Sequence, residues 1–205
     1  MRETNHSKES IDAIAQDRYL KSSFHEKLVE HVFISEVLQE AWYRFRKTAE
    51  VLRAEVDASG YDVVLECNGI LRHVQLKTSE AGADTERQLL NVALARKPGG
   101  CIVWIICYED RHSCRIKLSY RFFGGDAGQP FPSLAGLKIA KHAKANAQGV
   151  KKERPAIRVV PTSRFTEIST TRELVGKLFG LREPADQKTL HQHEAATAEN
   201  EDDDG

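Results

Sequence analysis

The chain has 205 residues, of which 40% are hydrophobic and 29% charged, and 30 basic side chains balance 30 acidic ones to a formal net charge of +0. That length fits one domain with tails to spare, and the apolar share is enough to bury one core. No run of about 18 apolar residues exists to form a transmembrane helix, and the polar stretch from Met1 to Arg18 has no apolar segment of the kind a secretory signal needs. A cytoplasmic location is therefore expected. A zero total charge says nothing about partners, but its distribution along the chain does.

Residues 1–18 are polar and expected to fray. From Phe24 to Lys47 the pattern predicts a helix, because Phe33, Ile34, Val37, Leu38, Ala41 and Phe45 gather on one broad arc. Val51 to Val56 is β-branched and strand-like, and Asp57-Ala-Ser-Gly60 is turn chemistry. Asp62 to Glu66 reads as a strand, Asn68-Gly69 as a tight hairpin turn, and Ile70 to Lys77 as the returning strand. Asp84 or Thr85 caps a predicted helix running to Arg96, stopped by Pro98-Gly99-Gly100. The unbroken apolar run Cys101 to Tyr108 predicts a strand covered on both faces, followed by another at Arg115 to Phe123. Leu134 to Ala147 is expected to be helical, Ile157 to Val160 a short strand, and Thr171 to Phe179 a closing helix capped by Gly180. The polar segment 183–205 ends in an acidic run and is expected to be disordered. This order implies an α/β class: a mixed central sheet flanked by helices over residues 19–182. The four cysteines, Cys67, Cys101, Cys107 and Cys114, form no CxxC pair and are expected to be reduced.

The segment from Asp62 to Lys77 carries the most chemistry. A two-residue turn at Asn68-Gly69 sets Cys67 opposite Ile70, Glu66 opposite Leu71, Val64 opposite His73 and Asp62 opposite Gln75. Lys77, two residues on, shares their face. Val63, Leu65, Ile70, Val74 and Leu76 fall on the other, apolar face. A carboxylate and an amide oxygen are hard ligands suited to Mg²⁺ or Mn²⁺, and the Leu76 carbonyl could add a third oxygen. The Lys77 ammonium beside them could steady a phosphate oxygen or activate a water.

These residues resemble the PD-(D/E)xK superfamily, the restriction-endonuclease-like nucleases. Its pattern is an acid at the head of one strand and an (E/D/Q)xK triplet on the paired strand. Asp62 in Gly60-Tyr-Asp-Val-Val-Leu-Glu66 matches the acid, and Gln75-Leu-Lys77 matches the triplet. The resemblance spans Phe24 to Tyr108, and the run from Glu55 to Lys77 is similar to a stand-alone bacterial group associated with defence. It implies a restriction-endonuclease-like core in which Asp62 and Gln75 bind metal and Lys77 orients or activates water. It also implies a helix acid. Glu30 lies on the arc of Phe33, Val37 and Ala41 and is favoured, with Glu36 and Glu40 as rivals. In two respects the chain departs from the pattern. Gln75 replaces an acid, which lowers metal affinity, and Asp57 competes with Asp62. His73 shares the polar face and could contact a phosphate.

Between Lys138 and Arg158 the chain is strongly basic. Lys138, Lys141 and Lys144, recurring every third residue, form a stripe on the expected helix, and Lys151, Lys152 and Arg154 follow. Such a stripe would neutralise backbone phosphates without reading sequence. The expected activity is a Mg²⁺-dependent deoxyribonuclease in restriction or phage defence, acting on DNA rather than RNA. The alternative is a nuclease-fold module that binds nucleic acid or assembles complexes without catalysis. No GxxxxGK[ST] pattern is present, so ATP-driven movement would come from a partner ATPase or helicase. Target choice would need a partner or a homodimer.

Overall fold

A computed structural model describes residues 22–53, 60–110, 112–144, 149 and 151–183. Helix α1 spans Ser22–Gln39 and buries Val29, Phe33 and Val37. It runs on into a π-helical turn, Glu40–Arg44, that adds Ala41 to the same buried side. The predicted arc is thus largely correct, except that Leu38 lies on the exposed side.

Nine strands follow among the described residues: β1 Ala49–Arg53, β2 Val63–Cys67, β3 Ile70–Glu80, β4 Arg87–Asn91, β5 Cys101–Asp110, β6 Arg115–Gly124, β7 Lys138–Lys141, β8 Glu153–Pro161 and β9 Thr166–Ile168. They form a six-stranded sheet in the order β1-β2-β3-β5-β6-β9 and a three-stranded sheet in the order β4-β8-β7. β3 and β5 pair in parallel, while the other pairings of the large sheet are antiparallel. β5 sits near the middle of the large sheet, where Cys101 to Ile105 are buried without alternation, as a strand covered on both faces requires.

The two faces have separate cores. On one, α1 and the last helix, α2 (Thr171–Phe179), pack over Val63, Leu65, Val74, Val103, Ile105 and Phe122. On the other, the small sheet closes over Ile102, Trp104 and Phe123 with Leu90, Val160 and Phe165. The fold is mixed α/β, with helices on one face and a sheet on the other rather than helices on both.

Two expected helices are strands. The segment from Asp84 to Arg96 forms β4 and a single 3₁₀ turn, Leu94–Arg96. Leu134 to Ala147 contains β7 instead of a helix over its described part. Both strands pair with β8, which at nine residues is longer than the expected Ile157 to Val160. The long strand β8 offers two edges, and local helical periodicity yields to the hydrogen bonds that these edges supply. α2 is as expected: Thr170 accepts a hydrogen bond from the Glu173 N–H, and Gly180 adopts φ +65° at the C-terminal cap.

The hairpin register is also as expected, with Cys67 paired to Ile70, Glu66 to Leu71 and Val64 to His73. Asn68 and Gly69 have φ of +55° and +74°, the double left-handed conformation of a type I′ turn. Glu66 Oε1 tightens the turn by accepting the Gly69 N–H at 2.9 Å. Cys67, Cys101 and Cys107 are buried free thiols, and Cys114 is an exposed one.

Candidate active site

The hairpin ladder stops at Val63–Val74, one residue short of Asp62. The Asp62 N–H bonds the carbonyl of Val74, the partner of Val63, at 2.9 Å, where a continuing ladder would point it away from β3. The chain therefore turns out of the ladder here, and the Asp62 carboxylate takes up the slack: Oδ2 accepts the Leu76 N–H at 2.7 Å. Asp62 is exposed and pinned to the middle of the QxK triplet.

A cleft of about 360 Å³ opens at this point, lined by Glu26, Lys27, Glu30, Asp62, Leu76, Lys77, Thr78 and Ile105. α1 supplies the first three residues, the segment before β2 supplies Asp62, and interior positions of the parallel strands β3 and β5 supply the rest. The favoured helix acid Glu30 thus shares one cleft with Asp62, Leu76 and Lys77. Glu30 is 9% exposed. Its Oε2 accepts from Lys27 Nζ at 2.7 Å, and its Oε1 lies 3.2 Å from Arg53 Nη1. A buried carboxylate needs such company, and here two cations give it. Lys27 and Arg53 were not anticipated as part of the site. The i,i+3 spacing of Lys27 and Glu30 was the available signal for the first.

The rival acids lie elsewhere. Glu36 accepts hydrogen bonds from Thr171 and from the Tyr120 hydroxyl, the latter at 3.2 Å, tying α1 to α2 and β6. Burial pushes the Tyr120 phenol well above its usual range. Glu40 sits in the π-helical turn, 4.0 Å from Arg44. Asp57 lies outside the described residues.

Gln75 does not line the cleft. It lies in register with Ile102 of β5 and is 7% exposed, and its Oε1 is buried with no hydrogen-bond partner. His73 is committed to the scaffold. Its Nδ1 meets the Pro98 carbonyl at 2.7 Å, so that nitrogen carries the proton, and its ring stacks edge-on against Tyr61 at 4.8 Å.

The basic residues form no helical stripe. Lys138 and Lys141 are on β7, Arg154 is opposite Ala140 on β8, and Lys144, Lys151 and Lys152 are exposed in the intervening connection. They belong to the small sheet, on the face of the large sheet away from α1, and none lines the Asp62 cleft.

The resemblance implies a divalent cation, and the oxygens here are of the right kind. The Asp62 carboxylate and the Leu76 carbonyl are hard donors on neighbouring positions, whereas the Gln75 amide is buried beside Ile102, in the core on the other face of the sheet. Among the described residues no group of three or more His, Cys, Asp or Glu side chains comes together to hold a metal, so the donor set at Asp62 is one carboxylate and one backbone carbonyl, with Glu30 across the cleft already paired to two cations. Such a set binds Mg²⁺ weakly and leaves several waters on the ion.

Among the described residues, no helix is long and apolar enough to cross a membrane. No family model, curated protein or solved structure matches the chain.

Proposed function

We propose that the chain is a metal-dependent nuclease with a restriction-endonuclease-like core, hydrolysing DNA phosphodiester bonds in bacterial restriction or defence. The observation that carries this reading is the meeting of Glu30, Asp62, Leu76 and Lys77, from separate parts of the chain, at one cleft. Asp62 and the Leu76 carbonyl would hold Mg²⁺ or Mn²⁺, without the expected Gln75 amide, which is buried away from the cleft. When bound, that ion supplies positive charge against the phosphate and lowers the pKa of a water. Lys77 holds a phosphate oxygen or the attacking water by its ammonium. Glu30 orients Lys27 and Arg53 at the rim, where both cations can meet a second phosphate. The Lys138 to Arg154 surface would add sequence-independent, salt-sensitive affinity.

The test is cleavage of DNA and RNA with Mg²⁺ or Mn²⁺ by the wild type, Asp62→Ala and Lys77→Ala. Each substitution is expected to cost at least about 100-fold in rate, as loss of a group that stabilises transition-state charge does. Equal cleavage by all three proteins would sink the proposal. The double pairing of Glu30 supports a second reading, a binding module without chemistry. That reading requires nucleic-acid retention with no cleavage by the wild type under either metal.

A further inference from the structure

Helix α1 is apolar on two sides. Val29, Phe33 and Val37 face the core. Diametrically opposite, Phe24, Leu28, His31, Ser35, Leu38 and Trp42 are all exposed. Their spacing alternates four and three residues, the 3.5-residue period of a helix-pairing seam; the five on α1 fall within about 40° of one line along the helix, and Trp42 follows in the π-helical turn. Phe24 is 69% open and Trp42 57%. A solvated helix normally carries charge on that side.

The order of this seam identifies what covers it. Read outward from Phe33, His31 and Ser35 come first, then Leu28 and Leu38, then Phe24 and Trp42, at equal distances on the two sides. The stripe reads the same in both directions: aromatic, leucine, polar, polar, leucine, aromatic. We propose that α1 pairs antiparallel with α1 of a second copy of this chain about a two-fold axis at Phe33. Phe24 then meets the other copy's Trp42, Leu28 meets Leu38, and His31 meets Ser35. Self-complementarity of this kind is what a two-fold interface requires.

His31 gives its Nδ1 proton to the Lys27 carbonyl at 2.7 Å, which leaves Nε2 directed outward to accept from the serine hydroxyl of the other copy. A polar pair at the centre of an apolar seam sets register at some cost in affinity. The seam is about 27 Å long. With two aromatic anchors per copy, each presenting a large part of the 150–250 Å² typical of its type, the paired helices reach roughly the 1,200 Å² at which specific interfaces begin.

A lipid surface fits less well. Amphipathic helices that bind membranes are rich in Lys and Arg beside the apolar stripe, whereas among the described residues the one Lys flanking this seam, Lys27, is bound to Glu30. Neither Glu26 nor Glu30, the two α1 acids that line the cleft, lies in the seam.

The test is sedimentation equilibrium of the full chain from about 1 to 500 μM, the range in which modest interfaces of this size dissociate. The wild type is expected to dimerise. Leu28→Glu with Leu38→Glu should weaken association at least about 100-fold, as loss of two central anchors does, without lowering the Tm read at a concentration where the wild type is monomeric, because both positions are exposed. Leu28→Glu with Leu38→Lys should restore the dimer, since antiparallel pairing sets the new acid against the new base. A wild type that stays monomeric overturns the proposal, with or without binding to anionic vesicles. So does a dimer indifferent to the double Glu variant, or an acid–base variant that fails to associate, as a parallel pairing would predict.

Discussion

Arg72 is a fully buried cation on the apolar side of β3. Its guanidinium donates to the carbonyls of Leu178 at 2.6 Å, Gly125 at 3.0 Å and Lys177 at 3.4 Å. Two of these are at the C-terminal end of α2, where the helix has carbonyls without partners and a negative dipole end. Arg72→Met keeps the stem but leaves those acceptors buried and unmatched. The expected loss is at least about 3 kcal/mol of unfolding free energy, read by urea titration. Arg72→Lys should recover only part of it, because an ammonium lacks the fork that spans three carbonyls. Near Arg72 lies Cys101, whose thiol is pushed up by burial to about 12 from the ordinary 9.0. Burial also raises Cys67 and Cys107. A raised acid pKa means that the native state keeps a proton the unfolded chain has lost. This contribution to stability is complete below pH 9.0 and is lost as pH rises toward about 12. The slope is about 1.4 kcal/mol per pH unit for each fully retained proton. Cys101→Ala should flatten the fall in Tm between pH 9 and 11, and an unchanged slope would mean the thiol ionises in the native state.

The hairpin, β5 and α2 follow from local rules: a turn with two positive φ values, period-two alternation, an unbroken apolar run, and a capped helix. β4 and β7 do not, because what makes them strands is β8, more than 60 residues beyond the end of β4 in one case and a bulged neighbour in the other. A window over Leu89, Leu90 and Leu94 sees helical spacing and cannot see the partner edge. The same distance explains Gly60. Its φ is +73°, and a Cβ there would come within 2.5 Å of the Asn91 Cβ, at the end of β4. Gly60 is thus where the strap leading to Asp62 passes the small sheet. Gly60→Ala would introduce both left-handed strain, worth about 1 kcal/mol or more, and a collision that shifts Asp62. A lower Tm together with reduced cleavage is expected. Wild-type values in both assays would show that the strap tolerates displacement.

Across the whole molecule, the site was legible as a list of residues but not as a geometry. Asp62, Leu76, Lys77 and Glu30 share a cleft, while the Asp62–Gln75 pair expected from the register does not form and Gln75 lies off that cleft. Facing rules placed Asp62 over Gln75, yet the ladder ends early and Asp62 turns to the Leu76 amide. Register arithmetic holds only while backbone pairing persists, and no local signal marks where pairing stops. The basic segment was legible as charge. Its position, on the layer remote from α1, depends on the crossover through β4 and the return through β8.

The grip of Arg72 on α2 also has a consequence for biosynthesis. During translation the hairpin emerges long before Lys177 and Leu178 exist, so until α2 is made the Arg72 guanidinium has only the Gly125 carbonyl of its three acceptors. A chain released before Lys177 would therefore bury a cation with a single carbonyl to receive it, a strong bias toward leaving β3 open until the last helix is made.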